Sequence, residues 1–354
     1  MNDWQTMEVI TGVLFHSVGA SSAALCYTPQ KKVVQWSWQT YWLAQALVCW
    51  LLLPVIIAWI TIPQIQTVLR EAPADAMWNT FLLGMAYGVG GTAFGIAIRY
   101  VGFSLTYAIA VGISCVLGTL LPPLVAGELS TLFQQKGSAW IITGIGLGVL
   151  GIAFCGVAGR YKELDLEKNS SATDFSLAKG LPLCLLAGIL SAVYGYSIAE
   201  GEPIAQVAAK YGSGNFRGNI IYVFSNTGAF ITTMIYCIYL HGRNKTFREY
   251  WQVAGNQDRP RLILNFAMAA LTGVLWYTQF FFYGLGHVRM GNYAYTSWAI
   301  HMIMLVLFSA VAGLLMKEWS GGRRRTINVL ILALLVLVAA VLVLTYGNYM
   351  GNTN

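Results

Sequence analysis

The stretch Arg323-Arg-Arg-Thr-Ile-Asn-Val-Leu-Ile-Leu-Ala-Leu-Leu-Val-Leu-Val-Ala-Ala-Val-Leu-Val-Leu-Thr-Tyr-Gly-Asn348 decides the fold class. Three cations are followed by a run from Thr326 to Asn348 without any formal charge. Wound as an α-helix at 1.5 Å per residue, that run reaches about 34 Å, enough to cross a hydrocarbon layer of roughly 30 Å. Nothing in lipid can satisfy an open backbone, so a run of this length and apolarity reads as a spanning helix.

Working outward, nine more runs have the same character. The ten predicted spans lie near 6–27, 38–60, 77–99, 102–125, 139–159, 180–200, 218–240, 262–287, 290–316 and 326–348. The tightest break is Arg99-Tyr-Val-Gly102, where two helices must turn back almost at once. Composition agrees. Only 10% of residues are charged and 57% are hydrophobic, against about 25% charged in a soluble domain. Mean hydropathy is +0.61. These values exclude a soluble globular enzyme, a disordered chain and a disulfide scaffold. The six cysteines, Cys26, Cys49, Cys115, Cys155, Cys184 and Cys237, fall singly inside apolar runs and read as small buried hydrophobes. The N-terminal Met1-Asn-Asp-Trp-Gln-Thr-Met7 lacks the basic start of a cleavable signal, so the first run is expected to stay as a helix.

The net charge of +7 is a topological signal rather than a nucleic-acid footprint. Loops after the odd-numbered spans hold 16 of the 21 Lys and Arg residues. The positive-inside rule therefore predicts odd loops in the cytoplasm and both termini outside, in an inner (cytoplasmic) membrane.

The chain also echoes itself. Gly84, Gly95 and Gly102 recur at Gly273, Gly284 and Gly291, and Glu128 is echoed by Glu318. Gly19-Ala-Ser-Ser-Ala-Ala-Leu-Cys-Tyr27 parallels Gly188-Ile-Leu-Ser-Ala-Val-Tyr-Gly-Tyr196. The spacing predicts a five-plus-five repeat: residues 1–160, a cytoplasmic connection over 161–179, and residues 180–354. Five is odd, so the second half would be inverted, as in many secondary transporters. Gly84-xxx-Gly88, Gly91-xxx-Gly95 and Gly144-xxx-Gly148 suit close helix packing. Gly144-Ile-Gly-Leu-Gly148 sits inside an apolar run with no preceding strand, which excludes a dinucleotide loop. Pro54 and Pro122-Pro123 are expected to interrupt the second and fourth spans and free backbone carbonyls.

Chemistry must come from few residues. His16 and His301 are the only ionisable side chains deep within the apolar runs; Glu8, Arg99, Glu200, His287 and Arg289 stand nearer the ends. Such groups face a bundle interior or water, and histidine is the proton carrier suited to neutral pH. Trp276, Gln279, Phe280, Tyr283 and His287 share one helical face, as do Ser297, Trp298 and His301, and as do His16, Ala20, Ala23 and Tyr27. An aromatic stripe is ordinary packing by itself, but buried amide, hydroxyl and imidazole groups need partners. Together they suit a neutral sugar, with rings covering its C–H face and polar groups bonding its hydroxyls. No P-loop, metal-ligand spacing or catalytic triad is present, so no cofactor, enzyme activity or ATP-driven step is expected. An ion gradient would then supply the energy: one charge crossing 100 mV is worth about 2.3 kcal/mol.

Longer motifs carry a resemblance. Trp276-Tyr-Thr-Gln-Phe-Phe-Phe-Tyr-Gly-Leu-Gly-His-Val-Arg289, Ser297-Trp-Ala-Ile-His-Met302, Lys317-Glu-Trp319, Phe15-His-Ser-Val-Gly-Ala20, Tyr27-Thr-Pro-Gln-Lys-Lys-Val33 and Trp36-Ser-Trp38 resemble the L-rhamnose–proton symporter family of the drug/metabolite transporter superfamily. The likeness runs from about residue 10 to about residue 325. It implies ten helices and uptake of a 6-deoxyhexose with a proton. It departs from the family pattern at Ala294, Gln39 and Gly91-Thr-Ala93, and by carrying Glu200 and Glu202.

The expected protein is a multi-pass, all-α importer of L-rhamnose or a close relative, with proton symport by alternating access. The partners expected are a small neutral sugar, a proton and the lipid bilayer, with no nucleic acid. Trp276, Tyr295 and Trp298 would stack on the sugar; Tyr27, Gln279, Tyr283 and Ser297 would complete its binding. His16 or His301 would take the proton, with Glu200 a less central candidate. A drug or metabolite exporter of the same superfamily is the alternative transporter. A membrane sugar sensor or multipass enzyme is the alternative from another class, though no loop is long enough for a folded signalling domain.

Overall fold

The structure, a computed structural model, describes residues 3–101, 103–134, 136–167, 176–252, 259–317, 319 and 322–352. Gly102 and Glu318, which entered the repeat comparison, lie outside them, as does the middle of the 161–179 connection. Among the described residues the regular structure is helical throughout. Among the described residues ten mainly helical stretches are long and apolar enough to span a membrane: Met7–Lys32, Trp38–Thr61, Ala74–Ile98, Thr106–Val125, Ser138–Lys162, Ala178–Lys210, Gly214–Asn244, Arg261–His287, Ser297–Leu315 and Arg324–Gly351. The chain is a multi-pass membrane protein. All six cysteines are free and buried.

Two local expectations change and a third holds. The ninth helix begins at Ser297, because Gly291, at φ +58, opens a 3-10 turn over Gly291–Thr296. The fourth helix is not interrupted by Pro122-Pro123 but continues to Val125. The prolines sit in its last turn and still accept from Ala126 and Glu128 through their carbonyls (3.0 and 2.9 Å). In the second span Pro54 has a larger effect. Its ring would meet the carbonyl of Trp50, four residues back. The helix widens into a π-turn over Leu47–Leu52, with the Leu53 N–H bonded to the carbonyl of Val48.

The chain forms two compact units. Unit 1 comprises Met1–Ala24, Gly90–Tyr196 and Phe282–Asn354; unit 2 comprises Leu25–Val89 and Ser197–Phe281. Neither is a sequence half. The fourth, fifth, ninth and tenth spans fall in unit 1 and the second and seventh in unit 2. Each unit thus holds complete pairs in the numbering of a five-plus-five repeat. The first, third, sixth and eighth spans contribute residues to both.

Within unit 1 the fifth and tenth helices pack closely. A Cβ on Gly144 would stand 2.6 Å from Leu344 Cγ, and one on Gly151 2.7 Å from Leu337 Cδ2. Asp165 accepts from the backbone N–H of Arg323 (2.8 Å) and from Thr326 Oγ1 (2.7 Å), placing a carboxylate at the N-terminus of the tenth helix. Asn348 donates to Thr296 Oγ1 at 2.9 Å, tying that helix to the 3-10 turn.

Within unit 2 the third and seventh helices meet backbone to backbone: a Cβ on Gly84 would overlap the carbonyl of Ser225, and one on Gly228 that of Phe81. Glu249 caps the second span. Its Oε2 accepts from Ser37 N (2.7 Å), Ser37 Oγ (2.8 Å) and Thr40 Oγ1 (2.5 Å). Asn265 pairs with both backbone groups of Val34 (2.8 and 3.2 Å). These contacts close one end of the second, seventh and eighth helices.

Candidate functional site

In unit 1 three helices bring two histidines together. The helix Asp3–Leu25 carries His16, Arg259–His287 carries Tyr283, and Ser297–Leu315 carries His301. The imidazole centroids of His16 and His301 are 5.9 Å apart. Tyr283 lies against both, at 5.3 Å and 5.4 Å. His16 is fully buried and His301 2% exposed. Neither ring nitrogen of His16, nor Nδ1 of His301, has a hydrogen-bond partner, and the buried Ser297 Oγ has none either. His16 thus lacks the hydrogen bond by which a structural histidine is tied to a neighbouring helix.

Small residues allow the approach. A Cβ on Gly286 would stand 2.9 Å from Cε1 and Nε2 of His16 and 2.8 Å from the carbonyl of Gly12. The eighth helix is therefore bare where the first helix presents its imidazole. Ala20 and Ala23 continue the buried face as the sequence predicts. Tyr27 does not: the helix ends at Leu25, so the period fails there, and Tyr27 belongs to unit 2. Beyond the cluster, Arg289 lies over the Phe15 ring (4.8 Å) and pairs with Glu8 (3.4 Å).

Trp298 is anchored. Its Nε1 donates to the carbonyl of Ser114 at 2.9 Å and reaches Ser114 Oγ at 3.2 Å. The indole fills a slot where a Cβ on Gly118 would overlap it and one on Gly195 would come within 3.2 Å. Tyr283 meets the ring at 5.7 Å between centroids. Trp298 is almost fully buried and its N–H is already committed. Periodicity gave no sign of Ser114. The side chains of Tyr295 and Arg99 lie outside the described residues.

In unit 2 Trp276 is the centre of an aromatic group. Phe280 lies 5.0 Å away, Trp50 5.2 Å and Tyr87 6.2 Å, centroid to centroid. Gln279 is buried on the same helix, one turn from Trp276. Tyr27 stacks almost parallel on Trp42 (6.3 Å, 7°), which stacks in turn on Trp38 (5.0 Å, 18°). Trp42, Trp50 and Tyr87 were not singled out by the sequence; only cross-helix geometry joins them to Trp276. Glu200 is the last residue of the helix Leu177–Glu200, half-buried, and accepts from Asn79 Nδ2 at 3.4 Å.

The electrostatics are those of a neutral site. Among the described residues no Asp, Glu, Lys or Arg is buried. What the buried clusters offer is aromatic faces, indole, phenol, amide and hydroxyl groups, and two titratable rings. The eighth helix carries both kinds, with Trp276 and Gln279 in unit 2 and Tyr283 seven residues beyond Trp276 in unit 1.

Comparison with known proteins finds relatives along nearly the whole chain. The family described as L-rhamnose-proton symport protein (RhaT) matches residues 5–350. The L-rhamnose-proton symporter of Cronobacter sakazakii is 33% identical over 343 residues, covering 96% of this chain and 98% of that protein. Those of Yersinia pestis and Klebsiella pneumoniae show the same identity and coverage.

Proposed function

Because the chain belongs to the L-rhamnose–proton symporter family, we propose that it imports a neutral 6-deoxyhexose, L-rhamnose or a close relative, together with a proton. The observation that carries this reading is the buried, unbonded His16–His301 pair with Tyr283 against both rings. A transporter needs a group that binds and releases a proton during its cycle, and imidazole does so near neutral pH. Two imidazoles this close do not readily carry two charges at once. At about 6 Å and an effective dielectric of 20, a second charge costs about 3 kcal/mol. One proton per cycle is worth about 2.3 kcal/mol per 100 mV, or roughly 50-fold accumulation.

The residues proposed for sugar binding form two sets, each described within its own unit. Trp276 offers a stacking face, with Gln279 and Tyr27 as polar partners in unit 2. Tyr283 and Ser297 supply hydroxyls in unit 1, with Trp298 and Tyr295 as its stacking residues. Ser297 Oγ, buried and unbonded, is the clearest hydroxyl awaiting a ligand. Glu200, at the end of the sixth helix, is the acid that would pass protons at the membrane face. The inner membrane, with both termini outside, is the location that the 16 of 21 cations on the odd loops support. Alternating access would rest on the five-plus-five inverted repeat, whose paired spans share units. Family membership leaves the exporter and sensor alternatives without a supporting observation.

The test uses purified protein in liposomes. L-rhamnose should drive proton uptake by the wild type. His16→Gln and His301→Gln should each lose accumulation driven by a pH gradient while keeping sugar exchange between equal pools. No sugar-dependent proton movement in the wild type would overturn the reading.

A further inference from the structure

The π-turn in the second span has no role in the reading above. Such widened turns are rare and recur at functional sites. Here the cause is local. Pro54 cannot donate to the Trp50 carbonyl, and its ring crowds that carbonyl, so the chain takes up an extra residue per turn over Leu47–Leu52. The insertion rotates the residues that follow it. Trp50 ends up 1% exposed, with its ring 5.2 Å from Trp276 and 6.1 Å from Tyr87, edge to face in both cases (81° and 69°).

The eighth helix is cut away to receive this turn. A Cβ on Gly273 would stand 2.6 Å from Val48 Cβ and 2.9 Å from the carbonyl of Gln45. Gly273 lies one helical turn before Trp276, so the same close crossing sets the distance between the two indoles.

Within that packed group the Trp50 Nε1–H is buried and bonds to nothing. A buried donor without an acceptor costs free energy, and phenylalanine would fill much of the space without that penalty. Trp42 also has an unpaired N–H, but Tyr27 and Trp38 cover its ring in a parallel stack. Trp50 instead stands beside the ring assigned to the sugar's apolar face. We propose that Trp50 is a further specificity-determining residue. Its indole N–H donates to the 2-, 3- or 4-hydroxyl of a sugar held against Trp276. The inference rests on the proposal that the substrate is a neutral deoxyhexose. It adds a sugar donor that the π-turn, not helical periodicity, puts in place.

A site built to bond a hydroxyl rejects an analogue that lacks it. The experiment therefore varies both partners. Binding of L-rhamnose and its 2-, 3- and 4-deoxy analogues is measured by calorimetry on purified wild type and Trp50→Phe. The wild type should bind one analogue about tenfold more weakly than L-rhamnose. Trp50→Phe should bind L-rhamnose about tenfold more weakly and show no further loss with that analogue. Equal affinity of the two proteins for L-rhamnose, or an equal loss for every sugar, would overturn the proposal while leaving the symport reading intact. A wild type that binds no L-rhamnose overturns both. Should Trp50→Phe fail to fold, wild type labelled with 5-fluorotryptophan gives the answer by fluorine resonance. The Trp50 signal, identified with Trp50→Tyr, shifts on sugar addition if the N–H is engaged. A signal that does not move overturns the proposal.

Discussion

Gly286→Ala is the sharpest perturbation of the histidine pair that leaves both histidines in place. The new methyl would lie 2.8 Å from the carbonyl of Gly12 and 2.9 Å from two atoms of the His16 ring. Non-bonded carbon contacts settle near 3.5 Å, so the first helix must retreat or its imidazole must swing by about 0.5 Å. Overpacking of this kind costs about 1–3 kcal/mol. Replacing a mid-helix glycine by alanine returns up to about 1 kcal/mol. The net loss, about 0–3 kcal/mol, should leave a folded protein. Function should suffer more, because displacement of a reacting group by 1 Å costs on the order of 100-fold, and half that distance about tenfold. The expected outcome is a roughly tenfold slower proton-driven uptake with an altered pH profile between pH 5.5 and 8, and a smaller loss in sugar exchange. Gly12→Ala should be milder, since its nearest neighbour is the flexible Met290 Sδ at 3.0 Å. Gly146→Ala, with nothing within 4 Å, should be neutral. Uptake by Gly286→Ala at the wild-type rate and with the wild-type pH profile would refute the assignment of His16 to proton handling.

Two predictions concern the end of unit 2. Glu249→Ala removes the carboxylate that bonds three donors at the start of the second span. It should cost about 2 kcal/mol, read as a lower melting temperature in detergent, with Glu249→Gln recovering part; an unchanged melt would mean that the cap is not structural. Tyr250 hydrogen-bonds His241 Nε2 (3.1 Å) and donates to the carbonyl of Thr40 (3.3 Å). Burial pushes its phenol above the ordinary value. The folded chain then keeps a proton that the unfolded chain releases near pH 10. This contribution is complete below about pH 10 and is lost as pH rises toward the folded value. Tyr250→Phe should melt slightly earlier at neutral pH and fall less steeply from pH 9 to 11; parallel curves would contradict the argument.

The spans were legible because lipid imposes so coarse a demand. Ten runs of about 20 apolar residues leave little freedom, and their order fixes the helix count. The ends were less legible. Nothing in Gly291-Asn-Tyr-Ala-Tyr-Thr296 is polar enough to mark a 3-10 turn, and that turn rests on a single positive φ. The two histidines stood out as the only ionisable side chains deep within the apolar runs. That they approach to 5.9 Å depends on a tertiary packing that no local pattern records. Helical period served Trp276 and Tyr283, which stay within one helix, and failed for Tyr27, which lies beyond the helix end. It also missed Trp50, where the period itself changes.

The repeat and the site meet in the same glycines. Gly84 and Gly273 were paired by sequence spacing alone. In unit 2 Gly84 of the third span accommodates the Ser225 carbonyl of the seventh, and Gly273 of the eighth accommodates the Gln45 carbonyl of the second. Exchanging the halves turns third into eighth and seventh into second, so it turns the first contact into the second. This is what a two-fold related pair of five-helix repeats requires. The contacts then diverge in use. At Gly84 the crossing is plain packing against Ser225. At Gly273 it presses a proline-widened turn against the helix of Trp276 and brings an unbonded indole N–H beside it. Gly84 and Gly273 thus mark two places in this chain where helices nearly touch. Pro54, four residues after Trp50, widens the turn at the second of them, where the Trp50 N–H stays without a partner.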